Sequence, residues 1–323
     1  MSKPFEQKRY YMSALDPIHV GTGGYRLGRV DNTIVREPGT NIPKVPGSSV
    51  AGVSRSFAAL RPEVNKYPSC AGKGGGKGSE HCCLPTCPVC VGFGFSNGET
   101  NESFQGLVQF SDARILFFPV HSMLGPVWIS SESILREHGF DFRLHDWTKF
   151  KCFSLDTDRL NFGWLMLEKE GAAESIGTSF SQVPQEVRDR LFMVSDRIFS
   201  RIVNDNLEVR TSVAIDPYTG AAEDKALFTY EAIPRGTVLW FDITYQNPEY
   251  FKVGASGTRQ DIKLTPTVLA SDPLGRSITP FDQLAYLAGY VELGLEYIKA
   301  LGLGGMNTRG FGRAEIIPGG RLS

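Results

Sequence analysis

The sequence predicts an α+β protein with a ferredoxin-like core, and three observations support this prediction. Without its insertions, the chain reads strand, helix, two strands, helix and strand, which is the βαββαβ order of ferredoxin-like folds and of the RNA-recognition motif. One glycine-rich loop follows the first strand, and another precedes the last. The 323 residues are 41% hydrophobic and 21% charged, a composition typical of globular proteins with a large core.

The first half of the chain supplies a strand, a helix and two further strands. The first strand is predicted over residues 7–20, where an apolar and aromatic run precedes the glycines. A helix is predicted over residues 47–60, with Ser48 or Ser49 as its N-cap. Two strands joined by a turn are predicted over residues 105–120. The helix prediction rests on apolar residues at helical spacing, namely Val50, Val53, Phe57 and Leu60.

The second half begins with a less regular pattern, in which helices are predicted near residues 185–192 and 194–203. Residues 209–246 alternate in the manner of a hairpin followed by a further strand. The clearest helix, over residues 282–301, carries its apolar residues on one stripe. A final short strand is predicted over residues 313–317.

The charge distribution bounds the class of protein. The formal net charge is −1, which argues against a protein that binds nucleic acid with its whole surface. Residues 1–61, however, hold nine basic and four acidic side chains, a local excess of five. Such a basic face can bind phosphates, and a solvated face is the alternative. No apolar run approaches the roughly 20 residues of a membrane span, and no signal peptide is evident, so a cytoplasmic location is expected.

Asp31 lies between two glycine-rich segments, residues 19–24 and 46–49. Glycines let a backbone approach a ligand closely, and a helix that opens after the second segment offers N–H groups to an anion. The block is interpreted as a backbone cradle for a phosphate chain, with one carboxylate pointing into it. The alternative is that Asp31 only caps a turn.

Cysteines are concentrated in a Cys/Gly-rich insertion over residues 65–100. Short spacings between cysteines, such as Cys-x-x-Cys, let thiolates converge on one tetrahedral ion. Disulfides are rare in a cytosolic protein. A structural zinc site is therefore predicted, with Cys87 and Cys90 as the firmest ligands. The other two ligands are expected from Cys70, His81, Cys82 and Cys83. A redox Cys-x-x-Cys pair and free thiols are the alternatives. The glycine run over residues 72–79 is predicted to be a flexible loop, since Lys77 precedes Gly78 where a phosphate-binding loop needs Ser or Thr.

These motifs resemble those of RAMP proteins of type III CRISPR effector complexes, and best match the repeated backbone subunit of the type III-B (Cmr) complex. The resemblance spans nearly the whole chain. It rests on residues 18–23, 30–37, 42–49, 87–90, 113–120, 210–216, 226–231 and 302–312.

The resemblance implies a single hand-like RAMP domain over residues 1–323. Its ferredoxin-like palm carries a thumb hairpin over residues 205–246, a zinc-binding insertion over residues 65–100, and a final helix, glycine loop and strand over residues 282–323. Such subunits polymerise along a guide CRISPR RNA with other subunits of the complex. The thumb intrudes into the guide–target duplex, and single-stranded target RNA is cut at regular intervals.

The resemblance further implies that Asp31 is the catalytic residue, with His19, Tyr230 and Glu231 near the cut. Each of these three also has a structural alternative, such as packing within the fold. The RNA contacts predicted from the glycine loops and from the resemblance are Gly21, Gly23, Arg36, Lys44, Ser48, Ser49, Arg55, Arg210, Gly304, Gly305 and Arg309.

RNA carries its own nucleophile, the 2′-hydroxyl, which must lie in line with the phosphorus. A nucleotide displaced by the thumb is free to adopt that geometry. Asp31 is expected to act as a general base or to hold a divalent cation such as magnesium or manganese. An unshifted Asp is a weak base at neutral pH, which favours the metal role. The sequence thus predicts a metal-dependent endoribonuclease that acts within its complex. A non-cleaving RNA scaffold and a zinc enzyme unrelated to RNA are the alternatives.

Overall fold

Eleven strands join into one mixed sheet in the computed structural model, which describes residues 3–23, 30–62, 64–72, 81–98, 102–177, 180–254, 258–264 and 282–322. The strands are β1 (Phe5–Ala14), β2 (Lys44–Val45), β3 (Phe95–Asn97), β4 (Glu102–Phe104), β5 (Val108–Phe110), β6 (Ala113–Ser122), β7 (Gly125–Ser131), β8 (Lys149–Cys152), β9 (Arg159–Phe162), β10 (Leu165–Lys169), β11 (Leu191–Val194), β12 (Glu208–Ile215), β13 (Ala222–Ala232), β14 (Val238–Gln246), β15 (Lys252–Val253), β16 (Gln260–Asp261) and β17 (Ala314–Arg321).

Seven α-helices lie within the same ranges. They are α1 (Gly47–Leu60), α2 (Pro88–Phe93), α3 (Glu132–Glu137), α4 (Gln185–Arg188), α5 (Asp196–Asp205), α6 (Gln283–Glu296) and α7 (Ile298–Leu301). Short 3₁₀ segments occupy Pro248–Tyr250 and Asn307–Arg309. Among these helices, none combines the length and the apolar character that a membrane crossing requires.

One end of the sheet has the strand order β17-β1-β14-β6, and each neighbouring pair in this part is antiparallel. Beyond β6 the order continues through β7, β11, β8, β10 and β9. In that part the pairs β7–β11 and β8–β10 are parallel, so the sheet as a whole is mixed. Among the described strands, β12 and β13 pair with each other and form a separate two-stranded hairpin, and Tyr230 of β13 also bridges to Asn32.

The sheet has an apolar core on each face, because successive residues of a strand point to opposite sides. Met12 and Phe241 pack with helices α1 and α6 in one core. Tyr11 and Trp240, their neighbours in sequence, belong to the other core with Phe180. Strands β1 and β17 are antiparallel neighbours. The loop that follows β1 and the loop that precedes β17 therefore emerge at the same edge of the sheet.

Most predicted elements are confirmed, including the helix over residues 47–60, two strands around residues 105–120 and the hairpin. The two strands, β5 and β6, each pair with β14. Helix 282–301 is also confirmed, as α6 and α7 in succession. The first strand is shorter than predicted and ends at Ala14, whereas the last is longer and runs to Arg321. The predicted flexible run falls largely on residues 73–80, which lie outside the described ranges.

Three local predictions are wrong. Pro46 is the N-cap residue of α1 and no serine side chain caps this helix, because the first amide, that of Gly47, donates to Asp112 instead. Leu60 is 40% exposed and does not continue the buried stripe. The helix predicted near residues 185–192 stops at Arg188, since the fully buried residues that follow pair with β7 and β8 as strand β11.

Candidate active site and metal centre

Three consecutive residues of strand β13, Thr229, Tyr230 and Glu231, gather the predicted site residues from separate parts of the chain. Asp31 and Asn32 run alongside this segment, where the Asn32 N–H donates to the Thr229 carbonyl at 3.1 Å and the Asn32 carbonyl accepts from the Glu231 N–H at 3.0 Å. Residues 19–21, 34–36 and 304–309 approach it from other directions. The base of the hairpin is therefore the centre of the candidate site.

Asp31 is exposed, and one of its carboxylate oxygens is held by the hairpin. Its Oδ2 accepts hydrogen bonds from the backbone N–H and from the Oγ1 hydroxyl of Thr229, both at 2.8 Å. Its own N–H donates to the same Oγ1 at 2.9 Å. The hydrogen bond from the Thr229 backbone, followed by that from its side chain, lowers the pKa of Asp31. Asp31 is therefore an ionised carboxylate at neutral pH.

His19 is buried beside Asp31's partner strand. Its Nδ1 lies 2.6 Å from the Glu231 carbonyl oxygen, and because a carbonyl only accepts, Nδ1 carries the proton. The edge of its ring faces Tyr230 with 6.0 Å between ring centroids. A Cβ at Gly21 would lie 3.2 Å from the other ring nitrogen, Nε2, so this glycine lets the backbone pass close to the imidazole.

Glu231 forms an ion pair with Arg36, and both side chains are largely buried. The guanidinium lies 2.5 Å from one carboxylate oxygen, while Ile34 N–H donates to the other at 3.2 Å. Arg36 also donates to Asn204 of helix α5 at 3.0 Å. This network anchors the segment after Asp31 to β13. The charges of Glu231 and Arg36 neutralise each other within it.

The glycine loop between α7 and β17 forms the opposite wall of the site. Gly305 N–H donates to the His19 carbonyl at 2.8 Å, and Arg309 donates to the Tyr230 hydroxyl at 3.3 Å. Arg210 of β12 packs on the Phe311 ring, 4.7 Å from its centroid, and donates to the Gly310 carbonyl at 3.4 Å. The structure thus brings this loop and both strands of the hairpin together.

Replacing Gly304 with alanine is expected to destabilise the protein by about 2 kcal/mol or more. Gly304 has a φ of +79°, and a Cβ there would lie 2.4 Å from the His19 carbonyl oxygen. Gly305→Ala is the matched control, because its Cβ would lie 3.5 Å from the nearest atom of His19. Chemical unfolding of the two purified variants measures the difference, and equal stabilities would contradict the prediction.

The N-terminus of α1 is not an open anion site of the kind that the sequence suggested. Asp112 accepts from the Gly47 amide at 2.8 Å and from the Lys44 ammonium at 2.5 Å. A carboxylate of the protein itself therefore already uses the first amide of this helix and one of the predicted RNA contacts. Ser48 is exposed and Ser49 is partly exposed beside this ion pair.

Four cysteines converge in the insertion, and their Sγ atoms all lie within 4.8 Å of one another. The Cys90 sulfur lies 3.6 Å from that of Cys70 and 3.8 Å from that of Cys82. Four thiolates at about 2.3 Å from a tetrahedral zinc ion are about 3.8 Å apart, so the spacing fits a metal. Hydrogen bonds from the Cys70 thiol, then from Cys87 and Cys90, lower the pKa of Cys82.

Two of the six predicted ligands do not join this group. Cys83 has a φ of +53°, and its sulfur points back to the His81 carbonyl at 3.4 Å. His81 accepts through Nδ1 from Arg55 at 3.1 Å. The group is therefore Cys70, Cys82, Cys87 and Cys90, whereas spacing alone left Cys82 and Cys83 equivalent.

Arg55 supports the cysteine cluster, which differs from its predicted role as a contact of the guide backbone. Its Nε donates to the Cys70 carbonyl at 2.7 Å, and a second nitrogen donates to His81. Burial lowers the pKa of Arg55, although the nearby thiolates act in the opposite direction. Helix α1 and the cluster are thus joined through one buried guanidinium.

Sequence reasoning missed Thr229, Asp112 and Asn204, each of which holds a predicted site residue. No sequence motif predicts these roles, because each residue acts on a partner far away in the chain. A cavity of about 670 Å³ between Trp147, Leu165 and Arg197 contains none of the predicted site residues.

Comparisons with known proteins give one curated relative and several solved structures. Over 249 residues the chain is 25% identical to the CRISPR system Cmr endoribonuclease Cmr4 of Pyrococcus furiosus, covering 70% of this chain and 77% of the relative. A chain of the type III-B Cmr-beta complex bound to cognate target RNA superposes with a TM-score of 0.61, at 14% identity and 97% coverage of both chains. Oligomeric Cmr4 from Pyrococcus furiosus gives a TM-score of 0.56 at 17% identity, covering 97% of this chain and 98% of that one.

These structural likenesses establish a shared fold. The profile of the RAMP superfamily matches residues 11–315, which is nearly the whole sequence. It includes the segment around Asp31, the cysteine cluster, the hairpin and the glycine loop before β17. This chain therefore belongs to the RAMP superfamily.

Proposed function

We propose that this protein is a guide-RNA-binding backbone subunit of a type III CRISPR interference complex, best matched to type III-B, and that it cleaves complementary target RNA. The observation that carries the proposal is the convergence of Asp31, His19 and Arg309 on three consecutive hairpin residues. The curated relative, itself a Cmr endoribonuclease, supports the same activity.

The architecture supports a hand-like subunit made of a single domain over residues 1–323. Strands β17, β1, β14 and β6, with α1 and α6 on one face, have the order and directions of a ferredoxin-like palm. The β12–β13 hairpin is the thumb, within residues 205–246, and residues 65–100 form the insertion. Residues 282–323 supply the last helix, the glycine loop and the last strand.

Cleavage requires the 2′-hydroxyl of target RNA to lie in line with the scissile phosphate. The hairpin displaces a nucleotide, and Asp31 at its base faces the exposed phosphate. The lowered pKa of Asp31 makes it a poor general base. The charge of Glu231 is neutralised by Arg36. The Nδ1–H of His19 donates a hydrogen bond to the Glu231 carbonyl, and the His19 ring makes an edge contact with Tyr230.

The residues present fit a divalent cation such as magnesium or manganese. Apart from Thr229 and Asp31 itself, no described residue donates a hydrogen bond to the Asp31 carboxylate. Magnesium is commonly held by one or two carboxylates together with substrate phosphate oxygens. A cation bound by Asp31 and the RNA supplies charge neutralisation at the phosphate. The protein is then a metal-dependent endoribonuclease that acts within the assembled complex.

The four-cysteine group is proposed to hold a structural zinc ion. Its ligands, Cys70, Cys82, Cys87 and Cys90, are complete without water, which is characteristic of structural rather than catalytic sites. The ion would fix α2 and the insertion against α1 through Arg55. This role makes a zinc enzyme unrelated to RNA the weaker reading of the cluster.

The proposed partners are guide CRISPR RNA, single-stranded target RNA, further copies of this chain in a filament and other subunits of the complex. Phosphate contacts are proposed from Gly21, Gly23, Ser48, Ser49, Arg210, Gly304, Gly305 and Arg309. Arg36, Lys44 and Arg55 are partly buried and hold protein groups, whereas Arg210 and Arg309 are exposed although each also has protein partners. A cytoplasmic location and the absence of a membrane partner stay predictions.

The proposal is tested by assembling the chain with its guide RNA and partner subunits and adding matched RNA. With magnesium or manganese we expect products at regular intervals, and with EDTA we expect intact RNA. Unmatched RNA is the control. An assembled complex that binds matched RNA and leaves it uncut in the presence of the cation would favour the non-cleaving scaffold.

A further inference from the structure

We propose that Thr229 is the positioning residue for Asp31, and that its hydroxyl ties the cleaving carboxylate to the thumb hairpin. The inference rests on the proposed function, in which Asp31 acts on the RNA. Thr229 does not itself reach toward the phosphate. It acts through the orientation of the Asp31 carboxylate.

The geometry consists of three hydrogen bonds between two residues that lie 198 positions apart in sequence. Two of these bonds end on the same carboxylate oxygen, Oδ2, and the third runs from Asp31 N–H back to the Thr229 hydroxyl. The hydroxyl therefore takes part in two of the three bonds, as donor in one and as acceptor in the other. This arrangement fixes the carboxylate plane and leaves Oδ1 for a ligand.

The hydrogen bonds between Thr229 and Asp31 also link the hairpin, which displaces the nucleotide, to the carboxylate that acts on it. Thr229 lies in β13, opposite Thr211 of β12, and so moves with the hairpin. Any displacement of the hairpin by a bound duplex carries the carboxylate with it. Asp31 is thereby kept in register with the nucleotide that the hairpin displaces.

No charged group holds this carboxylate among the described residues. The titratable and charged groups on the surrounding segments are His19, Tyr230, Arg309 and the Glu231–Arg36 pair, and none of them donates to the Asp31 carboxylate. The orientation of the carboxylate therefore depends on Thr229.

The test uses the assembled complex with guide RNA and compares Thr229→Val, Thr229→Ser and the wild type. Valine keeps the β-branched shape and the backbone N–H but removes the hydroxyl, whereas serine retains it. We expect Thr229→Val to slow single-turnover cleavage by about 10- to 100-fold. Target affinity should stay unchanged, so the loss should appear in the rate of cleavage and not in binding. Thr229→Ser should cleave within about threefold of the wild type.

Thr211→Val is the matched control, because Thr211 is an exposed threonine on the same face of the same hairpin. It should cleave like the wild type. Asp31→Asn separates the two hypotheses. If Asp31→Asn cleaves normally, the proposed role of Asp31 fails. If Asp31→Asn is inactive while Thr229→Val cleaves at the wild-type rate, or if serine does not rescue, the role of Thr229 is overturned.

Discussion

Replacement of Asp31 with alanine is expected to abolish cutting of target RNA while binding of guide RNA is retained. The side chain is exposed, and within the described ranges its hydrogen bonds from other residues come from Thr229, so its loss leaves the core untouched. Removal of a positioned catalytic group commonly lowers rates by about 100-fold or more. Single-turnover cleavage and guide-RNA binding, measured on the same assembled complex, report the two effects separately.

Asp146→Ala provides a matched control for this experiment. Asp146 accepts from the N–H and the hydroxyl of Thr148 at 2.9 and 2.6 Å, so it repeats the Asp–Thr bonding of Asp31 outside the predicted RNA-contact residues. If both variants cut normally, Asp31 only closes a turn. If both variants lose cutting together with guide binding, the effect is structural. Loss confined to Asp31→Ala supports catalysis.

Replacement of Cys82 with serine is expected to release the metal and to unfold the insertion, whereas Cys83→Ser should behave like the wild type. These adjacent residues form a natural pair, since only the Cys82 sulfur points into the group of four. Structural zinc contributes about 10–16 kcal/mol to small zinc-binding peptides, so the loss of one ligand has a large effect. Zinc content of the purified variants and their thermal unfolding are the measurements.

The outcome of chelation also separates the alternatives for this cluster. A structural ion predicts that a chelator lowers the melting temperature and disrupts assembly. A catalytic zinc ion predicts loss of activity with the fold retained. One zinc ion per chain in Cys82→Ser, at unchanged stability, would contradict the assignment of Cys82.

Local patterns predicted the elements that depend on local physics. Helices α1 and α6 were predicted because their apolar residues repeat at helical spacing, and the hairpin because its strands alternate around a turn. The strands between residues 125 and 194 could not be assigned, since they are short and several pair in parallel with distant partners. Their apolar residues pack against neighbours that are distant in sequence and cannot be identified from it.

Site residues could be predicted from the sequence where they belong to a motif. They could not be predicted where their role depends on a partner that is distant in the chain. Asp31 and the cysteines stand out by type and spacing. The choice of Cys82 over Cys83 depends on one backbone angle, and the role of Arg55 depends on where the insertion folds back. Thr229 lies within the 226–231 motif, but no sequence signal gives its role, because that role arises only when β13 lies against Asp31.

The pairing of β1 with β14 and β17 has a consequence for how the protein is made. At about 5–20 residues per second, a ribosome reaches residue 238 about 10–45 s after residue 14, so β1 waits unpaired for that time. His19 then needs Gly305, and Asp31 needs Thr229, before the site is closed. An incomplete nascent chain therefore lacks the candidate site, so an unfinished copy is not expected to cleave RNA.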